Sequence, residues 1–205
     1  WGVGVNPSSL YSGPYSVLIT DTFNCPSVYE PFTITQPDVL SISIDSLSNI
    51  SCNGLHDGSI NVSTIAGTLP YFYHWTYPSG YISSNEDING LFLGTYFLLV
   101  TDTNNCYDSL TVNITEPSIL SATYNTVDVS CHGGNDGFIN VTINGGIPPY
   151  SFLWNDSITQ QNRNNITAGI YFVDVTDFNG CTHPRIYFTI TEPIASVITG
   201  QVTDV

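Results

Sequence analysis

The groups in this chain best suited to covalent or ionic chemistry are five cysteines, Cys25, Cys52, Cys106, Cys131 and Cys181, and 17 acidic side chains. Thiols in this number suggest disulfides, and an odd count leaves one thiol free or bonded to a partner outside the sequence. Neither a Cys-x-x-Cys pair nor a paired-histidine spacing occurs, so the cysteines do not read as a metal site. The carboxylates offer a different option. Asp57, Asp102, Asp136 and Asp177, with Glu116 and Glu192, are weak candidates for a hard cation such as calcium, although no Asp-x-Asp-x-Asp-Gly loop is present. Otherwise no cofactor is expected. Asp57-Gly58 and Asp136-Gly137 equally suit tight turns in which glycine takes positive φ.

Catalytic groupings are not apparent. His56, His74, His132 and His183 are scattered, and nothing combines a Ser-His-Asp set with a nucleophile elbow or forms a metalloprotease motif. Seventeen acids allow many carboxylate pairs for glycoside cleavage, but no pocket-forming insertion interrupts the chain. The expectation is a protein that is not an enzyme.

Composition narrows the partners. The 205 residues carry no Met, two basic side chains (Arg163 and Arg185) and a net charge of -15. Phosphate neutralisation needs Lys and Arg, so nucleic acid is not an expected partner, and anionic membrane surfaces are disfavoured by the same field. No apolar run is long enough to insert as a helix. Thirteen Tyr, 10 Phe and 3 Trp supply the material for packed cores.

The elements that must position these groups come in repeats. Ser51-Cys52-Asn53-Gly54-Leu55-His56-Asp57-Gly58 returns 79 positions later as Ser130-Cys131-His132-Gly133-Gly134-Asn135-Asp136-Gly137. Ile34-Thr35-Gln36-Pro37, Ile114-Thr115-Glu116-Pro117 and Ile190-Thr191-Glu192-Pro193 close three units. The expected organisation is the C-terminal part of an incomplete repeat over 1–37, complete repeats over 38–117 and 118–193, and the first strand of a following repeat over 194–205. Trp1, by this register, corresponds to Trp75 and Trp154, and Asp21 to Asp102 and Asp177. The chain reads as a piece of a longer tandem array.

Within a repeat, period-two alternation of β-branched and aromatic residues between Gly, Pro, Asn and Asp punctuation predicts strands throughout. In the last repeat the runs fall near 119–130, 138–144, 150–155, 158–163, 170–176 and 184–191. Ile139, Val141, Ile143, Phe152, Trp154, Tyr171, Val173, Val175, Ile186, Phe188 and Ile190 form the expected core, with Asn140, Thr142, Thr189 and Thr191 on wet faces. About seven short strands per unit, a Trp on the third strand and a Gly-x-Tyr opening the penultimate one predict an all-β chain of tandem immunoglobulin-like sandwiches. Tyr77 and Tyr81, in the longer 76–90 segment, suit either loop packing or contact with sugars or surfaces.

This topology bears on the cysteines. The first turn and the last hairpin turn of a sandwich lie at opposite ends, roughly 20 Å apart, whereas a disulfide needs Cα atoms within about 7 Å. The first turn of one repeat faces the last hairpin turn of the next, which favours Cys52–Cys181 across the repeat junction. Cys106 then pairs backward and Cys131 forward beyond the sequence, and Cys25 likewise has its partner outside. The alternative is pairing within repeats, Cys52–Cys106 and Cys131–Cys181. A bond at each junction would stiffen the array, because a linker such as Pro117-Ser118 is too short to hinge freely.

The ordered set Ser-Cys-x-Gly-x-x-Asp-Gly-x-Ile, Gly-x-x-Pro-Tyr-x-x-x-Trp, Leu-x-x-Gly-x-Tyr, Val-Thr-Asp-x-Asn-x-Cys and Ile-Thr-Glu-Pro resembles the SprB repeat of giant surface adhesins in gliding Bacteroidetes, a repeat akin to PKD-type immunoglobulin-like modules. The resemblance implies an extracellular, cell-surface protein exported by type IX secretion. Its repeat region would form a stiff rod or filament for surface attachment and gliding motility. The expected partners are neighbouring repeats of the same chain and a surface polysaccharide or substratum. A spacer or glycan-binding module of a secreted multidomain enzyme is the alternative. Asp45-Ser46-Leu47, Asp108-Ser109-Leu110 and Asp156-Ser157-Ile158 resemble the Bacteroidetes O-glycosylation motif, which makes Ser46, Ser109 and Ser157 candidate acceptors.

Overall fold

The computed structural model describes residues 9–19, 22, 23, 25, 28–77, 80, 82–197 and 200, and every regular element among them is a β-strand. Trp1, Asp21 and Tyr81 lie outside the described residues, as do parts of the expected 1–37 and 194–205 segments. Strands β1 (Gly13–Ile19) and β2 (Val28–Ile34) form an antiparallel hairpin. Seven strands follow: β3 (Ser41–Ser48), β4 (Gly58–Ile65), β5 (Phe72–Thr76), β6 (Ile82–Ser83), β7 (Ile88–Leu91), β8 (Gly94–Thr101) and β9 (Tyr107–Ile114). They split into a β3-β4-β7 sheet and a β6-β5-β8-β9 sheet, the two-layer arrangement of an immunoglobulin-like sandwich. The last six strands, β10 (Ser121–Val127), β11 (Gly137–Asn144), β12 (Ser151–Trp154), β13 (Arg163–Ile166), β14 (Gly169–Thr176) and β15 (Ile186–Ile190), repeat the plan as β10-β11-β13 and β12-β14-β15 sheets.

Alternation along each strand fills the space between sheets. In β8 the buried residues are Tyr96, Leu98 and Val100; in β14 they include Val173 and Val175, and in β15 Ile186, Phe188 and Ile190. Trp75 and Trp154 occupy matching central positions at 0% and 2% exposure. Each indole N–H is satisfied, Trp75 donating to the carbonyls of Asn85 and Glu86 and Trp154 to that of Gln160. Each such side chain removes a large apolar area from water while leaving no buried donor unpaired. Tyr15, Tyr96 and Tyr171 each donate a hydroxyl to a carbonyl four residues back, at Tyr11, Phe92 and Thr167, pinning the loop that enters the penultimate strand.

The expected strand over 158–163 is not present; the strand in that region is β13, which begins at Arg163. Asp156 and Ser157 make a tight turn, with Ser157 at φ 66° and its N–H donating to Trp154 O. Residues 158–162 then cross between sheets as a polar strap. Gln161 Nε2 donates to Val141 O, and Asn162 Oδ1 accepts from Val141 N. These side chains replace the backbone ladder of a further strand.

Gly58 and Gly137 do not take positive φ, contrary to the turn reading of the two Asp-Gly pairs. They open β4 and β11, where packing excludes a side chain. A Cβ on Gly58 would lie 3.0 Å from Ile114 Cγ2, and one on Gly137 would lie 2.9 Å from Ile166 O.

Candidate functional site at the repeat junction

The Ser-Cys turn is built by the acids around it. Asp57 accepts from the backbone N–H of Ser51 at 3.0 Å and from its hydroxyl at 2.5 Å, and Asp136 accepts from Ser130 N at 2.9 Å. The Ser51 hydroxyl and then its N–H hold the Asp57 carboxyl below the ordinary carboxylate range; Ser130 does the same for Asp136. On the other side, Glu116 Oε2 accepts from Gly54 N at 2.8 Å and Glu192 Oε2 from Gly133 N at 2.7 Å. The Ile-Thr-Glu-Pro ending and the Ser-Cys turn are therefore two halves of one structure. Backbone bonds from Ile50 N to Thr115 O and from Val129 N to Thr191 O complete it.

The last hairpin turn is organised by a buried acid. Asp177 is 5% exposed; its Oδ1 accepts from Asn179 N and Cys181 N, each at 2.9 Å, and its Oδ2 from Ile147 N at 2.9 Å. Asp102, 1% exposed, makes the same three bonds to Asn104, Cys106 and Thr68. These carboxylates are compensated by the N–H groups that converge on them, the condition under which burial of a charge is tolerated.

These two turns meet where the repeats join. Cys52 and Cys181 form a disulfide, with Cα atoms 5.7 Å apart. Asn179 Nδ2 donates to Ser51 O at 2.8 Å beside it. The linker is held from both sides, since Pro117 O accepts from Asn53 Nδ2 at 3.1 Å and Ser118 O from Gly146 N at 2.8 Å. Cys106 and Cys131 are exposed thiols in turns built like those of Cys181 and Cys52, and Cys25 is exposed. Next to the sulfur bridge lies an open cleft of about 630 Å³ between the two repeats.

The other candidates are dispersed. Asp57 and Asp136 lie in the first turns and Asp102 and Asp177 in the last hairpin turns; among the described residues no three His, Cys, Asp or Glu side chains converge as a metal cluster. Ser46, Ser109 and Ser157 are exposed. Ser46 follows the β-bulge at Asp45, whose carboxylate takes the Ser63 hydroxyl. Tyr77 packs its ring on Tyr96 at 4.9 Å and donates to Leu93 O, a loop-packing role. Ile147, Phe178 and Asn179 belong to the junction, although sequence reasoning did not single them out as site residues. Their signal was position: Phe178 and Asn179 lie within the Asp177 hairpin turn, and Ile147 lies in the 145–149 turn bonded to it.

Residues 44–80 and 123–159 each match the family model of the SprB repeat. Two segments of the chain are thus similar to the SprB repeat. Each match contains the Ser-Cys turn and the core Trp, and their starts, 44 and 123, differ by the 79-residue step of the Ser-Cys motif. Among solved structures, the N-terminal eight Ig domains of Down Syndrome Cell Adhesion Molecule isoform 1.30.30 align at 12% identity and TM-score 0.43, covering 82% of this chain and 26% of that one. The N-terminal four Ig domains of Dscam1 isoform 8.4 align at 11% identity and TM-score 0.36, covering 88% and 55%. The BSP domain of a biofilm associated protein aligns at 14% identity and TM-score 0.25, covering 76% and 30%. The chain thus spans between about a quarter and about half of these structures. No curated protein matches it.

Proposed function

We propose that these SprB-like repeats belong to a stiff, cell-surface adhesive array, a non-catalytic module that works by length, rigidity and multiple weak contacts with a surface polysaccharide or substratum. The observation that carries this reading is the junction, where one disulfide and a linker bonded on both sides remove the freedom a two-residue connection would otherwise retain. Rigidity matters to adhesion because many weak sites gain avidity only when geometry lets them engage together. The homologous turns extend the scheme: Cys131 bonds the last-hairpin cysteine of a following repeat, and Cys106 the Ser-Cys turn of a preceding one. Export to the cell surface by type IX secretion, and a role in gliding, follow from the SprB resemblance. Sugars on Ser46, Ser109 or Ser157 belong to the same reading.

The test is alignment of the two complete repeats in solution. Residual dipolar couplings of the oxidised chain should fit a single alignment tensor, and the Cys52→Ser/Cys181→Ser chain should need two. Two independent tensors in the oxidised chain would refute the rod. Surface location is tested by antibody labelling of intact, unpermeabilised cells, which the reading expects to be positive.

A further inference from the structure

We propose that the junction cleft is a binding site for an uncharged saccharide. This locates the sugar contact that the adhesive reading gives to the array, and it rests on that reading. The two walls of the cleft differ in emphasis. The third unit supplies the exposed apolar groups, Phe178 at 70% exposure and Ile147 at 36%, beside Asn179, whose amide is bonded to Ser51 O, and the second supplies the hydroxyl, amide and carboxylate groups of Ser48, Asn49 and Glu116, beside Pro117 and the buried Ile50. A pyranose ring has matching chemistry, with an apolar C–H face that packs on an aromatic ring and edge hydroxyls that both donate and accept. The polar wall has capacity for both roles. Asn49 uses its oxygen on Thr115 N and keeps its NH₂ group, while Glu116 commits one oxygen to Gly54 N and has acceptor sites to spare.

The apolar wall is not demanded by the fold. In the second unit the positions of Ile147 and Phe178 are held by Thr68 and Thr103, and the turn is the same. Thr103 N donates to Thr68 O as Phe178 N donates to Ile147 O, and Asp102 repeats the bonds of Asp177. Two exposed apolar side chains therefore coincide in one cleft without a structural requirement for either, the pattern expected of a contact surface. Charge selects the ligand. Among the described residues Glu116 is the only charged side chain of the cleft, and both arginines are paired elsewhere, Arg163 with Asp156 and Arg185 with Asp174. An anionic glycan would be repelled. The volume falls in the usual range for small-ligand sites, which favour domain interfaces, and the disulfide fixes the separation of the walls.

The experiment is NMR titration of the oxidised, ¹⁵N-labelled chain with maltohexaose, cellohexaose and N-acetylchitohexaose. At least one should produce saturable shifts confined to the amides of Ser51, Thr115, Phe178 and Asn179. Phe178→Thr, which installs the residue found at that position in the second unit, should keep the fold and weaken binding about tenfold, the loss of a single aromatic contact. Cys52→Ser/Cys181→Ser should weaken binding as well. The proposal is overturned if none of the three probes shifts these amides at millimolar concentration, if Phe178→Thr binds equally well, or if only a basic peptide binds. A silent cleft in a chain that still fits one alignment tensor removes this inference and leaves the rod reading standing.

Discussion

Replacing Asp177 by Ala should destabilise the third unit by about 3–5 kcal/mol. The carboxylate is 5% exposed and takes three backbone N–H groups, from Ile147, Asn179 and Cys181. Truncation strands all three, at about 1–3 kcal/mol each when no water replaces the lost acceptor. Asn179 is exposed, so its N–H regains water and the total falls toward the lower part of that sum. Asp177→Asn should cost less, about 2 kcal/mol: one oxygen keeps its two donors, while the new NH₂ group faces the Ile147 N–H. Because the units can unfold separately, the assay is hydrogen exchange of peptides from β11 and β14 across a urea series, with peptides from β4 and β8 as internal reference. Asp174→Ala, which removes an exposed carboxylate paired with Arg185, serves as the surface control and should cost under about 1 kcal/mol. An Asp177→Ala loss as small as that control would refute the view that the buried acid builds the turn carrying Cys181.

Gly145→Ala should be far more damaging than Gly180→Ala, although both glycines have positive φ. The new Cβ would lie 2.0 Å from Ile119 O at position 145 and within 4 Å of nothing at 180, so the second change costs only the backbone strain of about 1–2 kcal/mol. Thermal unfolding of the two variants checks the order. Arg163→Lys should lower the stability of the third unit by about 1 kcal/mol, since the guanidinium both pairs bidentately with Asp156 and covers Trp154 at 5.3 Å and Tyr171 at 5.6 Å. Asp57, Asp128 and Asp136 have depressed pKa values in the folded chain, so their contribution is complete above the unfolded value of about 3.9 and is lost as pH falls through the folded values. NMR titration should show all three ionising below that point, and Ser51→Ala should return Asp57 toward it.

Much of the architecture is legible in the sequence because strand alternation and core position are the same physical fact. Phe152, Trp154, Val173, Val175 and Phe188 read as inward-facing by period, and all are buried. Val129 and Ile166 also belong to that core, yet each stands just outside or at the end of a strand, where alternation gives no sign. Asp102 and Asp177 were legible as recurring acids and weak cation candidates, not as buried groups. Acids are rarely fully buried without partners, and their partners are backbone N–H groups that no side-chain pattern reveals. Arg163 was hidden for a similar reason. It sits where the second unit has Ile88, and a cation is admitted there by two aromatic rings and Asp156 brought from elsewhere in the unit. The cysteines were constrained by topology: Cys106 precedes β9 and Cys52 packs at its far end through Glu116 and Thr115, so eight residues of strand lie between them.

The bond at the junction is tested most directly by proteolysis of the chain under non-reducing conditions, after alkylation of free thiols, with mass spectrometry of the linked peptides. The expected product joins the Cys52 peptide to the Cys181 peptide, with Cys106 and Cys131 alkylated. Recovery of Cys52 joined to Cys106, or of Cys131 joined to Cys181, would contradict a covalent clamp between repeats.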